Sequence, residues 1–135
     1  MSRKFPVNPA ELCAPVGFAH GWLVEGGDTR TLYLAGQCGY DREGRIVHPG
    51  DLVAQMELAM RNIGYVLRDA GMEYADLVQL NFYVLSRDDY TVARREFGAT
   101  WKRLCGRHYP GMALFMVAGL FDPQARIEIQ GIAAR

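Results

Sequence analysis

A long amphipathic stretch near the middle of the chain constrains the fold more than any other feature. Over residues 52–70, apolar side chains recur at steps of three and four, so one face of a helix would be apolar. Asp51 precedes this stretch as a suitable N-cap, and Gly71 follows it as a suitable first residue beyond a helix. The pattern therefore predicts a helix that must cover an apolar surface formed elsewhere in the chain.

Short β-prone runs lie on both sides of this helix. The apolar run at 112–120 is typical of a strand buried on both faces. We expect a second helix, capped by Asp88 or Asp89 and ended by Gly106. The first fifteen residues contain three prolines and are expected to form an irregular arm. The expected strands are 17–24, 31–35, 77–85, 112–120 and 126–133, with a short one beginning at Ile46.

The order of these elements predicts an α+β fold, in which a mixed sheet of four to six strands carries two helices on one face. A length of 135 residues fits one domain, residues 1–135. In the run 126–133, Ile127 and Ile129 alternate with Glu128 and Gln130. The isoleucines should face the helices, and the two polar residues should face away from them. An apolar sheet with one uncovered face favours self-association.

Composition excludes several classes of protein. Lys+Arg and Asp+Glu number 15 each, so there is no basic excess of the kind that nucleic-acid binding requires, and no basic stripe is expected. No stretch is apolar enough to span a membrane, and the N-terminus lacks the pattern of a signal peptide, so we expect a cytoplasmic protein. The three cysteines do not have the spacing of a zinc site, and no metal is expected.

Four segments, in order and spread from about residue 14 to the end, carry a family resemblance. The first, 34–37, reads Leu-Ala-Gly-Gln; the second is the helix containing Gln55 and Asn62; the third is 81–84, Asn-Phe-Tyr-Val; the fourth joins 109–113 to 127–133. In their order and spacing these segments resemble the RidA/YjgF family. The resemblance implies a chorismate-mutase-like fold, a homotrimer with an inner barrel, and small-molecule clefts at the subunit interfaces.

The resemblance also implies a chemistry. Known members hydrolyse reactive enamines and imines, formed from amino acids, to 2-keto acids and ammonia, without a metal or an organic cofactor. In the deaminating members an arginine grips the substrate carboxylate, and a glutamate positions or activates the attacking water. The arginine aligns with Met112, and the glutamate aligns with Gln130.

Three further family positions also differ in this chain. The family's cysteine aligns with Leu114, its N-terminal tyrosine with Phe18, and its serine before Gly-Gln with Ala35. A thioether cannot form the bidentate, charged contact of a guanidinium. A neutral amide can orient water but cannot accept its proton. Each loss typically costs about 10²-fold or more in rate, so we expect deamination of 2-imino acids to be absent or weak.

Two residues are the catalytic candidates, each with a plainer interpretation beside it. Gln130 could hold a water or a ligand carbonyl, or simply face the barrel. His20 is expected near the cleft entrance, where it could act as a general acid or base near neutral pH, or it could be structural. Arg94 could return a cation to the cleft, or belong to a solvated helix face. The ligand-binding candidates are Phe18, Ala35, Gly36, Arg94, Gly111, Met112, Ala113 and Leu114.

Three functions remain open from the sequence. The first is an enzyme that acts on an enamine, an imine or a related reactive carbonyl compound. The second is a trimer without catalytic activity that binds a metabolite or stabilises a partner enzyme. The third is a nuclease, a label that some family members carry, and the balanced charge of this chain disfavours it.

Overall fold

A computed structural model describes all residues from Met1 to Arg135. A single six-stranded sheet has the order β1-β2-β3-β6-β4-β5, and every neighbouring pair is antiparallel except the parallel pair β4–β5. Two helices pack on this mixed sheet, which confirms the predicted α+β architecture. The strands are β1 Arg3–Val7, β2 Gly21–Gly26, β3 Thr29–Gln37, β4 Leu77–Val84, β5 Gly111–Met116 and β6 Ile127–Ala134; the helices are α1 Leu52–Asp69 and α2 Arg87–Cys105.

The capping residues explain where the helices begin and end. The Asp51 side chain accepts a hydrogen bond from the Ala54 N–H at 3.0 Å, as the sequence predicts. Gly71 has φ +71°, the left-handed conformation of a residue just beyond a helix. α2 starts earlier than predicted because Ser86, rather than an aspartate, is its N-cap, with its hydroxyl accepting from the Asp89 N–H at 3.1 Å.

The core lies between the two helices and one face of the sheet. Ile127 and Ile129 of β6 are fully buried in it, together with Leu80 of β4. Glu128 and Gln130, which alternate with the isoleucines, are only partly buried and lie on the other face. The predicted division of β6 into a helix-facing side and a polar side is confirmed.

The expected irregular arm over residues 1–15 is wrong for residues 3–7, which form β1. This strand pairs with β2 from Arg3 opposite Glu25 to Val7 opposite Gly21. β1 is an edge strand, so Pro6 can be accommodated in it without interrupting a ladder on both sides. The short strand expected at Ile46 is reduced to an isolated bridge with Tyr40.

The expectation that 112–120 is a strand buried on both faces is also wrong. β5 ends at Met116 and is the last strand of the sheet, so one of its edges has no neighbour. Leu114, Phe115 and Met116 are all exposed to a substantial degree. The apolar run therefore forms surface rather than core. Neither helix is long and apolar enough to cross a membrane.

Candidate functional site

A groove of about 360 Å³ runs between α2 and β5. Its size falls within the range typical of small-molecule sites. Four of the ligand-binding candidates come together in it: Arg94, Met112, Ala113 and Leu114. Its walls are mainly apolar and aromatic, with two basic residues, and the lining residues are Phe82, Tyr90, Arg94, Phe97, Gly98, Trp101, Lys102, Tyr109, Met112, Ala113 and Leu114.

The β4–β5 register places Met112 and Leu114 on the groove wall. Met112 lies opposite Leu80, and Leu114 lies opposite Phe82. Residues opposite one another in neighbouring strands point to the same face of a sheet. Leu80 and Phe82 are buried beneath the helices, so Met112 and Leu114 also point to the helix side. They remain 46% and 39% exposed, because α2 leaves this edge of the sheet open.

Paired aromatic rings form the floor of the groove. Tyr90 stacks on Phe97 with ring centroids 5.3 Å apart, and Tyr109 stacks on Trp101 at 6.2 Å. Phe82 meets both Phe97 and Trp101 edge to face. The indole Nε1–H of Trp101 donates to the His108 carbonyl at 3.1 Å. One face of each stacked ring is therefore already covered by another ring.

Basic residues follow the helix side of the groove. Arg94 and Lys102 line it, and a smaller groove that shares Arg94 and Leu114 extends along α2 to Arg87. Arg87 and Arg94 are seven positions apart and therefore lie on nearly the same helix face, and Lys102, eight positions beyond Arg94, lies about 80° further round the helix. The expectation of no basic stripe is therefore wrong for this surface, although the net charge of the whole chain is zero.

These cations have no acidic partners. Neither Arg94 nor Lys102 makes an ion pair or a side-chain hydrogen bond, and none of the groove-lining residues is acidic. By contrast, Arg126 pairs with Asp89 at 3.2 Å, and Arg103 pairs with Glu57. The groove therefore carries positive charge that the protein does not neutralise.

Gln130 lies on the opposite face of the sheet. It stands opposite Asn81 in β4, and its Oε1 accepts a hydrogen bond from the Tyr83 hydroxyl. Tyr83 in turn stacks on Phe115, with ring centroids 5.3 Å apart. The structure does not bring Gln130 into the groove that contains Met112.

Glu128 is a candidate that the sequence reasoning missed. It is the only acidic residue in strands β3 to β6, and it lies on the same face as Gln130. An added Cβ on Gly36 would lie 2.8 Å from the Glu128 carboxyl carbon, so Gly36 leaves room for this side chain. The Cys38 thiol donates to Glu128 at 3.5 Å, and burial, followed by this carboxylate, raises the pKa of that thiol. The alternation in β6 was the signal that could have identified Glu128.

The structure does not place His20 at a cleft entrance. His20 is fully buried; its Nε2 bonds to the Cys13 carbonyl at 2.8 Å, and its Nδ1 lies 3.1 Å from the amide nitrogen of Gln37. These partners select the tautomer with hydrogen on Nε2. With both ring nitrogens engaged, His20 ties the N-terminal segment to β3. Phe18 is half-exposed, and its ring is nearly perpendicular to the His20 ring, with the two ring centroids 5.2 Å apart.

The remaining candidates also lie outside the groove. Ala35 donates its N–H to the His20 carbonyl at 2.9 Å, and neighbouring Gly36 faces Glu128. Gly111 begins β5 beside Met112. No three His, Cys, Asp or Glu side chains are grouped so that they could hold a metal ion.

Comparisons with known proteins identify one family. A model of the family described as endoribonuclease L-PSP matches residues 8–135. A goat (Capra hircus) protein named 2-iminobutanoate/2-iminopropanoate deaminase is 28% identical over 130 residues, which cover 96% of this chain and 88% of the goat protein. The human (Homo sapiens) protein of that name is 26% identical over 104 residues, covering 77% and 72% of the two chains.

Solved structures share the fold. The YjgF gene product from E. coli has a TM-score of 0.79 and 22% identity, and the match covers 97% of this chain and 98% of that one. RidA from an Antarctic Psychrobacter bacterium has a TM-score of 0.77 and 25% identity, with 96% and 98% covered. Since the family model spans almost the whole chain and the folds agree, this protein belongs to the RidA/YjgF family, the family described as endoribonuclease L-PSP.

Proposed function

We propose that this protein binds a reactive enamine, imine or related carbonyl compound in the α2–β5 groove and hydrolyses it, without being a standard 2-imino-acid deaminase. One observation carries the proposal: Met112 and Leu114, aligned with the arginine and cysteine of deaminating members, point into an open groove rather than into the core. An apolar wall at these positions accepts an apolar ligand body. It offers no bidentate contact to a carboxylate next to the C=N bond.

The chemistry requires a water and a proton acceptor. In hydrolysis of an imine, water adds to the C=N carbon and one of its protons moves to the nitrogen, which gives a carbinolamine. The remaining hydroxyl proton then moves to the nitrogen, the C–N bond breaks, and ammonia leaves as the carbonyl forms. Gln130 can orient that water through its amide N–H₂, since its carbonyl oxygen already accepts from Tyr83. Gln130 cannot accept the proton. Glu128, on the same face two residues earlier, supplies the carboxylate that can.

The groove and the Gln130–Glu128 pair lie on opposite faces of the sheet. Met112 faces α2, whereas Gln130 and Glu128 face away from it, so one chain cannot apply both to one small molecule. Two different surfaces that meet between identical chains form a heterologous contact, which closes into a ring when the rotation allows. A homotrimer of this kind would complete the site and would cover the exposed apolar side chains of β5.

The alternative is a trimer that binds a metabolite or stabilises a partner enzyme without catalysis. The absence of any acidic side chain among the groove-lining residues favours it. In that case the groove alone is the functional site, and the other face of the sheet serves only for assembly.

Measuring ammonia release from freshly generated imines distinguishes the catalytic proposal from the binding alternative. We expect the wild-type protein to accelerate hydrolysis of a bulky aromatic imine well above the uncatalysed rate. Glu128→Gln should lower that rate by about 10²-fold or more, and Gln130→Ala should also reduce it. Glu43→Gln, a change in an exposed turn, is the matched control and should leave it unchanged.

Two outcomes would contradict the proposal. If no imine is hydrolysed faster than in buffer, the catalytic proposal is wrong and the binding alternative replaces it. If hydrolysis survives both Glu128→Gln and Gln130→Ala at full rate, the chemistry takes place elsewhere in the protein.

A further inference from the structure

A glycine in the middle of α2 marks the opening of the groove. Gly98 lies within the helix, where glycine is unfavourable compared with alanine. No packing contact explains it, since an added Cβ would meet no atom within 4 Å. Its lack of a side chain instead leaves a notch between the groove and the outer surface of α2, because it lines both.

Two unpaired cations flank this notch. Arg94 lies one turn before Gly98 and Lys102 one turn after it, so the two are about 12 Å apart along the helix axis. Both side chains are exposed, long and without acidic partners, so both can reach over the glycine. An anion lying in the notch would meet positive charge from both sides and bare helix backbone beneath it.

The wall across from the notch is apolar. Met112 and Leu114 of β5 supply it, and the buried side chains of Phe97 and Trp101 form the floor. A ligand that fills the groove must therefore be apolar over most of its surface and carry its charge at the α2 side.

We propose that the groove binds a bulky apolar or aromatic carboxylate, with Arg94 and Lys102 holding the carboxylate across Gly98. This inference rests on the proposed function, because it names the ligand class of the same groove. It places the anionic group on the helix side, separated by an apolar body from any group that meets β5. A small 2-imino acid, whose carboxylate adjoins its C=N bond, is too short for that arrangement.

Single-stranded RNA is the other anion that a basic, aromatic groove can attract. RNA binding of that kind uses exposed ring faces on which successive bases stack. Here Phe97 and Trp101 are buried, and one face of each is already covered by Tyr90 or Tyr109. Phe97 and Trp101 therefore form a pocket floor rather than a stacking platform, which favours the small carboxylate.

Calorimetric titration of the intact assembly tests the inference. It compares the dissociation constant of 1-naphthylacetate with that of its neutral counterpart, 1-naphthylacetamide. We expect the acid to bind about tenfold or more tightly than the amide. In Arg94→Met/Lys102→Met this preference should disappear, while the dissociation constant for the amide stays the same. Gly98→Leu should weaken the binding of both ligands, because the leucine side chain fills the notch.

Arg42→Met/Lys4→Met also removes two positive charges, both exposed and far along the chain from α2, and is the matched control. It should keep the preference for the acid. Circular dichroism and size-exclusion chromatography of each variant confirm that fold and assembly are unchanged, so that a lost preference reports on binding.

Equal affinity of the wild-type protein for acid and amide would overturn the inference. So would tight binding of an eight-nucleotide oligouridylate that displaces 1-naphthylacetate and depends on Arg94 and Lys102, because the groove would then be an RNA site. Neither result depends on ammonia release. Preferential binding of the acid without hydrolysis of any imine supports this inference and contradicts the catalytic proposal.

Discussion

Met112 and Gln130 point to opposite faces of one sheet, Met112 beside Leu80 and Gln130 beside Asn81. The family resemblance assigns both positions to a single cleft. Both statements hold together only if the groove of one chain meets the polar face of another. The contact between copies then becomes part of the site rather than a separate matter of assembly.

A mixing experiment follows from this arrangement. Leu114→Asp places an acid in the groove, and Glu128→Gln removes the carboxylate on the other face; each variant alone should be nearly inactive on the aromatic imine. In assemblies formed from equal amounts of the two, about a quarter of the sites would combine two intact halves. We expect ammonia release to recover to about a quarter of the wild-type rate. A rate no higher than the sum of the two variants would mean that the halves do not meet across copies.

The two helix-interior glycines should respond oppositely to substitution. Gly98→Ala should raise the free energy of unfolding by about 1 kcal/mol, because the added methyl meets nothing and the helix gains propensity. Gly64→Ala should lower it, since its Cβ would lie 2.5 Å from the Tyr74 hydroxyl, which donates to the Met60 carbonyl. Thermal unfolding of both variants checks the pair. Destabilisation by Gly98→Ala would show that this glycine has a packing role.

Replacing His20 should lower the stability of the fold but should not remove a catalytic group. Removing its ring leaves the Gln37 amide and the Cys13 carbonyl without their buried partner. We expect His20→Ala to lower the free energy of unfolding by about 2–4 kcal/mol. Exposed His48→Ala should change it by less than about 0.5 kcal/mol. A His20 variant that stays as stable as the wild type but loses ammonia release would restore a catalytic role.

Stability should fall at alkaline pH. Burial raises the pKa of Tyr74 and of Cys105 to about 12 each, and raises the pKa values of Cys38 and Tyr40 as well. These groups keep their protons in the folded state while the unfolded chain loses them from about pH 9 upward. The folded state therefore binds more protons, and its advantage is complete below pH 9 and is lost as pH rises towards 12.

Urea denaturation at pH 7, 9 and 10.5 measures this loss. Cys105→Ala should make the decline between pH 9 and 10.5 shallower, because one of the groups with a raised pKa is gone. A free energy of unfolding that stays constant from pH 7 to 10.5 would contradict the burial of these groups.

Local patterns predicted much of the fold. The periodicity of 52–70 and the residues Asp51 and Gly71 located α1 to within a residue, and the alternation in β6 assigned its two faces correctly. β1 was missed because Pro6 counts against a strand unless the strand is known to lie at an edge. Whether a strand lies at the edge of the sheet depends on the order of all the strands, and a short stretch of sequence does not contain that information.

The candidate site was predictable only in part, for the same reason. Arg94, Met112 and Leu114 were named from the sequence and do share a groove. Their separation from Gln130 follows from the register of β4 with both β5 and β6, a relation between distant segments. The burial of His20 likewise depends on residues that are distant in sequence and pack over it. The apolar run of β5 looks the same in sequence whether it lies in a core or on an exposed edge.

The most direct test compares ammonia release from freshly generated 2-iminopropanoate by the wild-type protein and by Met112→Arg/Gln130→Glu. We predict that the wild-type protein leaves the rate near that in buffer, because Met112 cannot hold the carboxylate and Gln130 cannot take the proton. The double variant should gain about 10²-fold or more, since it restores both groups in an intact groove. Rapid hydrolysis by the wild-type protein would contradict this, and would show that the side chains at 112 and 130 do not decide the reaction.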